Sequence, residues 1–179
     1  MGAELTLVCA TPVQTRRMAG TVAGALRAGD VLALTGELGA GKTCFVQGAA
    51  AALGVRERVT SPSFVLRREY QGRLPLLHFD VYRLETLQQV VELGYEQACD
   101  GTHVTFIEWG DAVSPLLPPE HLEVEFRLSE LSELDEVAAP DLADDGSEPR
   151  HVVLRAHGAD WLRRIAGLSA DLRPWRPDS

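Results

Sequence analysis

The sequence predicts an α/β fold, a P-loop NTPase-like mixed sheet with parallel central strands flanked by helices. Three observations carry that prediction. Strand-like and helix-like segments alternate along the chain, a glycine-rich turn joins a buried strand directly to a helix, and two further apolar runs each end in a carboxylate.

The elements follow in order. Glu4 to Ala10 reads as a first strand, and Thr11 and Thr15 are candidate caps for a helix whose Met18, Val22, Ala25 and Leu26 recur at helical spacing up to Gly29. Val31 to Leu34 is continuously apolar, the pattern of a strand buried on both faces. A turn from Gly36 to Gly41 leads into a helix over Lys42 to Leu53, stopped by Gly54. Thr60 to Tyr70 reads as a loop entering a strand with Phe64, Leu66, Arg68 and Tyr70 on one face, and after a turn at Gln71 and Gly72 a second apolar strand spans Leu74 to Val81. Glu85 to Cys99 is helical in two pieces around Gly94, and Val104 to Ile107 forms a strand that ends at Glu108. Pro115, Pro118 and Pro119 close a short helix. Leu122, Val124, Phe126 and Leu128 then alternate with polar residues, which predicts an amphipathic antiparallel strand at an edge. Residues 129–149 read as a solvated acidic loop insert, Val152 to Leu154 as a strand, and Trp161, Leu162 and Ile165 as one face of a last helix. Residues 168–179 are expected to fray.

A chain of 179 residues fits a single domain, and 45% hydrophobic with 24% charged residues excludes wholesale disorder. No apolar run approaches the roughly 18 residues of a membrane span, and Cys9, Cys44 and Cys99 form no Cys-x-x-Cys pair, so free thiols in a reducing, cytoplasmic setting are expected. The net charge of -9 is local in origin. Eleven carboxylates face Arg127 alone between Glu120 and Glu148, and the remainder of the chain is close to neutral, so acidic partners are not excluded for it. Of seventeen basic side chains, all but one are arginine; the single lysine is Lys42.

That lysine lies in Gly36-Glu37-Leu38-Gly39-Ala40-Gly41-Lys42-Thr43, a complete G-x-x-x-x-G-K-T phosphate-binding loop. Glycines let backbone amides turn toward a phosphate, the following helix presents free N–H groups, the ammonium neutralises terminal oxygens, and the threonine hydroxyl holds Mg²⁺. An arginine fork does not fit a closed ring of amides, which explains why this position escaped the arginine bias. The cofactor-binding stretch is therefore Glu37, Leu38, Gly39, Ala40, Gly41, Lys42, Thr43 and Cys44. A phosphate loop also needs carboxylates at neighbouring strand ends, and Asp80 and Glu108 both qualify, which suggests a divided role, one for the metal and one for the attacking water. The histidines at 78, 103, 121, 151 and 157 show no ligand spacing beyond His78 with Asp80. Five arginines between Arg56 and Arg73 against Glu57 and Glu69 make a basic stretch that reads as a solvated face or a site for an acidic partner.

These blocks, together with Thr60-Ser61-Pro62-Ser63-Phe64, His78-Phe79-Asp80-Val81-Tyr82-Arg83-Leu84 and Ile107-Glu108-Trp109-Gly110, resemble the bacterial TsaE family, the ATPase component of tRNA threonylcarbamoyladenosine synthesis. The likeness covers Asp30 to Gly110. It implies a Mg²⁺-dependent ATPase subunit acting on a TsaB-TsaD-type complex, which meets tRNA through that complex. It also implies that Thr43 and Glu108 hold Mg²⁺, that Lys42 binds the β and γ phosphates, and that Asp80 is a water-positioning or switch residue. Ser61 and Ser63 would belong to a nucleotide-sensing loop, and Trp109 would face nucleotide or partner or simply fill the core. Cys44 departs from the family's usual threonine and loses a hydroxyl donor near the α phosphate. A small-molecule kinase is the alternative from another class, for which the Arg56 to Arg73 stretch is the only candidate lid. A GTPase is disfavoured, because the guanine-reading Asn-Lys-x-Asp motif needs a second lysine.

Overall fold

The computed structural model describes residues 4–128 and 149–177. Seven strands form one sheet: β1 (Glu4–Cys9), β2 (Val31–Gly36), β3 (Arg67–Tyr70), β4 (Leu76–Asp80), β5 (Val104–Glu108), β6 (His121–Leu128) and β7 (Arg150–His157), in the spatial order β1-β7-β6-β2-β5-β4-β3. The central strands β6, β2, β5 and β4 run parallel, β7 and β3 join them antiparallel, and β1 pairs antiparallel with β7 at the edge. The helices are α1 (Pro12–Ala23), α2 (Lys42–Ala52), α3 (Leu87–Glu92), α4 (Tyr95–Ala98) and α5 (Ala159–Leu168).

Helix α1 begins where Thr11 accepts a hydrogen bond from the Gln14 N–H and Pro12 sets the first turn, and it buries Met18, Ala19 and Val22. α1, α2 and α5 share one core with Leu32, Leu34, Phe106 and Val124. Leu77, Phe79, Ile107 and Val113 form a second core on the other side of the sheet. Phe45 of α2 meets Phe106 and Phe126 edge to face, with ring centres 6.5 and 6.1 Å apart, which fixes α2 over β5 and β6. At the far end of β2, Asp30 accepts a bidentate pair of bonds from Arg164 of α5 at 2.6 and 2.7 Å.

Three expectations are corrected. The strand expected from Phe64 begins only at Arg67, because Leu66 adopts a left-handed φ of 65° and turns back so that its N–H meets the Pro62 carbonyl; Phe64 is left 86% exposed. β6 is not an antiparallel edge strand. It lies between β2, to which it is parallel, and β7, and its outward residues face a side of the sheet where Arg155 binds Glu4, Glu123 and Glu125 at 2.9, 3.1 and 2.6 Å. Cross-strand ion pairs thus let an interior strand keep a polar face. Of the end expected to fray over 168–179, the described part up to residue 177 packs instead: Leu172 is fully buried, and a short 3-10 turn at Arg173–Trp175 places Trp175 against the core. The acidic insert lies outside the described residues apart from Pro149.

Candidate functional site

The glycine-rich loop leaves β2 at the carboxyl end of the parallel strands, where α/β sheets form ligand crevices. Gly36 has a φ of 129°, and a Cβ there would lie 2.4 Å from the Phe126 carbonyl oxygen; Gly41, with a φ of 116°, turns the chain into α2. Helix starts differ in what occupies them. Thr11 caps α1, Thr86 closes a capping box on α3, and Glu120 accepts the first N–H groups of α5 at 2.9 and 3.1 Å. α2 starts behind Gly41 with no side-chain cap, so its first N–H groups remain available to an anion.

Lys42, Thr43, Cys44, Ser61, Ser63, Asp80, Glu108 and Trp109 all line one cavity of about 390 Å³, walled by the loop at Leu38, Gly39 and Gly41. Gln47, which the sequence did not single out, also lines it and donates to the Val59 carbonyl at 3.1 Å. Two candidates stand outside: Glu37 faces solvent and Ala40 is buried beneath the loop. The Lys42 ammonium donates to the carbonyls of Gly36 and Glu37 at 2.6 and 2.7 Å. It also lies 4.0 Å from the centre of the Trp109 ring. Burial pushes the pKa of Lys42 down, and the negative charges of Glu108, Asp80 and Asp111 oppose that shift.

Parallel pairing of β4 with β5 places Asp80 directly opposite Glu108. Both are 4% exposed. Glu108 Oε1 accepts from the Thr43 hydroxyl at 2.7 Å and from His78 Nε2 at 2.8 Å. Asp80 is held from the opposite side: its Oδ2 accepts from Ser61 at 2.8 Å and Ser63 at 3.0 Å, and its Oδ1 accepts from the Tyr82 N–H at 3.1 Å.

Trp109 does both things expected of it: it packs against the second core and lines the cavity. It sits at a left-handed φ of 63° immediately after β5, half-buried, with its ring centre 4.6 Å from that of Tyr82. Cys44 donates to the Pro12 carbonyl at 3.2 Å and accepts from Arg16 at 3.5 Å; burial raises its thiol pKa, and the neighbouring Arg16 eases that rise. None of the arginines between 56 and 73 lines the cavity, and Arg67 is bound to the Leu93 carbonyl and to Gln97. The kinase lid imagined for that stretch is therefore absent from the described cavity wall.

Comparison with known proteins agrees with the motif blocks. Residues 9–136 match the family model described as threonylcarbamoyl adenosine biosynthesis protein TsaE. The chain belongs to the TsaE family. Among curated members, named tRNA threonylcarbamoyladenosine biosynthesis protein TsaE, that of Treponema pallidum is 46% identical over 110 residues, 61% of this chain and 82% of its own. The Streptomyces coelicolor protein of the same name is 35% identical over 150 residues, 82% of this chain and 93% of its own. The crystal structure of Bacillus subtilis YdiB superposes with a TM-score of 0.75 at 30% identity, covering 96% of this chain and 97% of the other.

The TsaE match takes in the glycine-rich loop, Ser61, Ser63, Asp80, Glu108 and Trp109, so every side chain that the sequence singled out around the cavity falls inside the shared region. His78, Gln47 and Tyr82 join them in space. For His78 the signal was present in the sequence, since it shares a strand face with Asp80, but its partner stands thirty residues away on another strand.

Proposed function

We propose that this protein binds and hydrolyses ATP with Mg²⁺ as a subunit of the cytoplasmic machinery that makes threonylcarbamoyladenosine in tRNA, acting on a TsaB-TsaD-type complex. The observation that carries the reading is the convergence of Lys42, Thr43, Glu108 and Asp80 on one cavity at the uncapped start of α2. The helix N–H groups and the loop amides bind the phosphates, and the Lys42 ammonium, already seated on the loop carbonyls, neutralises β and γ oxygens. Thr43 and Glu108 are hard oxygen donors in hydrogen-bond contact with each other, the donor set that Mg²⁺ prefers, and they would hold the ion. When bound, Mg²⁺ supplies charge neutralisation to the phosphates.

Asp80 faces the same cavity, held by Ser61, Ser63 and the Tyr82 N–H, and orients the attacking water. A carboxylate has about four acceptor positions, so Asp80 can serve Ser61, Ser63 and Tyr82 and still accept from a water. The two serines tie the 60–66 loop to this carboxylate, which makes the loop a sensor of what occupies the γ-phosphate side. The test is to mix the purified protein with TsaB and TsaD and follow phosphate release. Turnover that rises on mixing supports the reading. Failure of both binding and turnover to respond would overturn the subunit role, and a phosphorylated metabolite as product would replace the ATPase with a kinase.

A further inference from the structure

His78 lies behind the cavity and has no part in the ATPase chemistry proposed above, yet it is bonded directly to Glu108. It is fully buried in the middle of β4, on the same sheet face as Asp80, and its Nε2 lies 2.8 Å from Glu108 Oε1. A carboxylate oxygen only accepts, so Nε2 carries the proton and donates. The other ring nitrogen, Nδ1, is buried with no hydrogen-bond partner among the described residues. A buried nitrogen without a partner is costly and uncommon. A histidine kept for stability alone would be better replaced by an apolar side chain, as its neighbours Leu77 and Phe79 are. What the ring gains in exchange is one hydrogen bond among the described residues, and it is with Glu108.

The two groups on Glu108 Oε1 differ in freedom. Thr43 carries a hydroxyl that rotates, and under the reading above it turns a lone pair toward Mg²⁺. The imidazole is locked in the sheet interior and cannot follow. When Thr43 engages the metal, His78 remains to keep the carboxylate from swinging.

We propose that His78 is a positioning residue which, through the Nε2–H bond to Glu108, fixes the carboxylate that holds the divalent cation. The proposal rests on the assignment of Glu108 to the metal. Residues that orient a metal-holding side chain in this way alter metal affinity about 10- to 100-fold when replaced. No group of three or more histidine, cysteine or acidic side chains among the described residues forms a separate metal site to which His78 belongs.

The experiment measures Mn²⁺ affinity by electron paramagnetic resonance in the presence of a non-hydrolysable ATP analogue, and metal-free ADP affinity by calorimetry. It compares wild type, His78→Met, which has no donor, and His78→Gln, which keeps an N–H. The expected result is a Mn²⁺ affinity lowered about 10-fold in His78→Met, ADP affinity within about twofold of wild type, and recovery in His78→Gln. In a Glu108→Gln background the same His78 substitution should change Mn²⁺ affinity no further. Folded His78→Met with wild-type Mn²⁺ affinity would overturn the positioning role alone. A wild-type protein that binds no Mn²⁺ with the analogue would overturn the ATPase reading and this proposal together. If His78→Met fails to fold, ¹⁵N spectra of wild type decide: an Nε2–H tautomer retained with and without Mg²⁺-nucleotide supports the proposal, and an Nδ1–H tautomer overturns it.

Discussion

Asp80 and Glu108 face each other across two parallel strands with equal burial, yet they are held by different kinds of structure. Glu108 is gripped from within, by a histidine of the central sheet and a threonine at the start of α2. Asp80 is gripped from outside, by two serines of a loop whose Phe64 and Val65 are 86% and 54% exposed. Under the proposed function, the difference fits a division of work between the two carboxylates. A metal ligand benefits from rigid support, whereas a group that must respond to the γ phosphate is better tied to a segment able to move with little disturbance to the core.

The largest expected effect is the one that removes the feature common to both sides. Lys42→Arg should abolish turnover, with a loss in kcat of at least about 100-fold, because a guanidinium cannot occupy the cage formed by the Gly36 and Glu37 carbonyls and the Trp109 ring. A near wild-type rate of phosphate release would break the comparison at its root. Next, Asp80→Asn should lower kcat with little change in KM, as expected for a group that acts on the attacking water. Single-turnover kinetics separate that from slowed product release.

The buried ammonium gives a pH test. Burial lowers the Lys42 pKa, so its charge, and the nucleotide affinity that depends on it, should be lost on the alkaline side below the usual lysine range near about 10.4. Glu108 is the first of the carboxylates that resist this shift, so Glu108→Gln should move the limb to still lower pH. Titration of ADP affinity against pH in both proteins checks the sign. The smallest effect belongs to the outer support. Ser61→Ala combined with Ser63→Ala should raise amide exchange in residues 60–66 and slow turnover by about 5-fold, the equivalent of one hydrogen bond's net worth of roughly 1 kcal/mol for two hydroxyls that also bond each other, while leaving Mg²⁺ dependence unchanged.

How much of this was legible beforehand follows from distance along the chain. The glycine-rich loop is contiguous, and its lysine stood out against sixteen arginines, so the cavity's centre was readable from the sequence. Asp80 and Glu108 were readable because each ends an apolar run. The contacts that distinguish them were not. The His78 to Glu108 bond depends on the register of β4 against β5, and the seat of Lys42 on Trp109 depends on a left-handed residue at a strand end. The sequence leaves the place of β6 open for a related reason: its alternating pattern specifies one apolar face, and an edge strand or an interior strand with an ionic outer face meets that requirement equally well.

The most direct test of the division between the two carboxylates is the Mg²⁺ dependence of ATP turnover in wild type, Asp80→Asn and Glu108→Gln, measured at saturating ATP. Half-saturation should shift to about 10-fold higher Mg²⁺ or more in Glu108→Gln and stay at the wild-type value in Asp80→Asn, where only the plateau falls. A Mg²⁺ shift confined to Asp80→Asn would contradict the account and exchange the two roles.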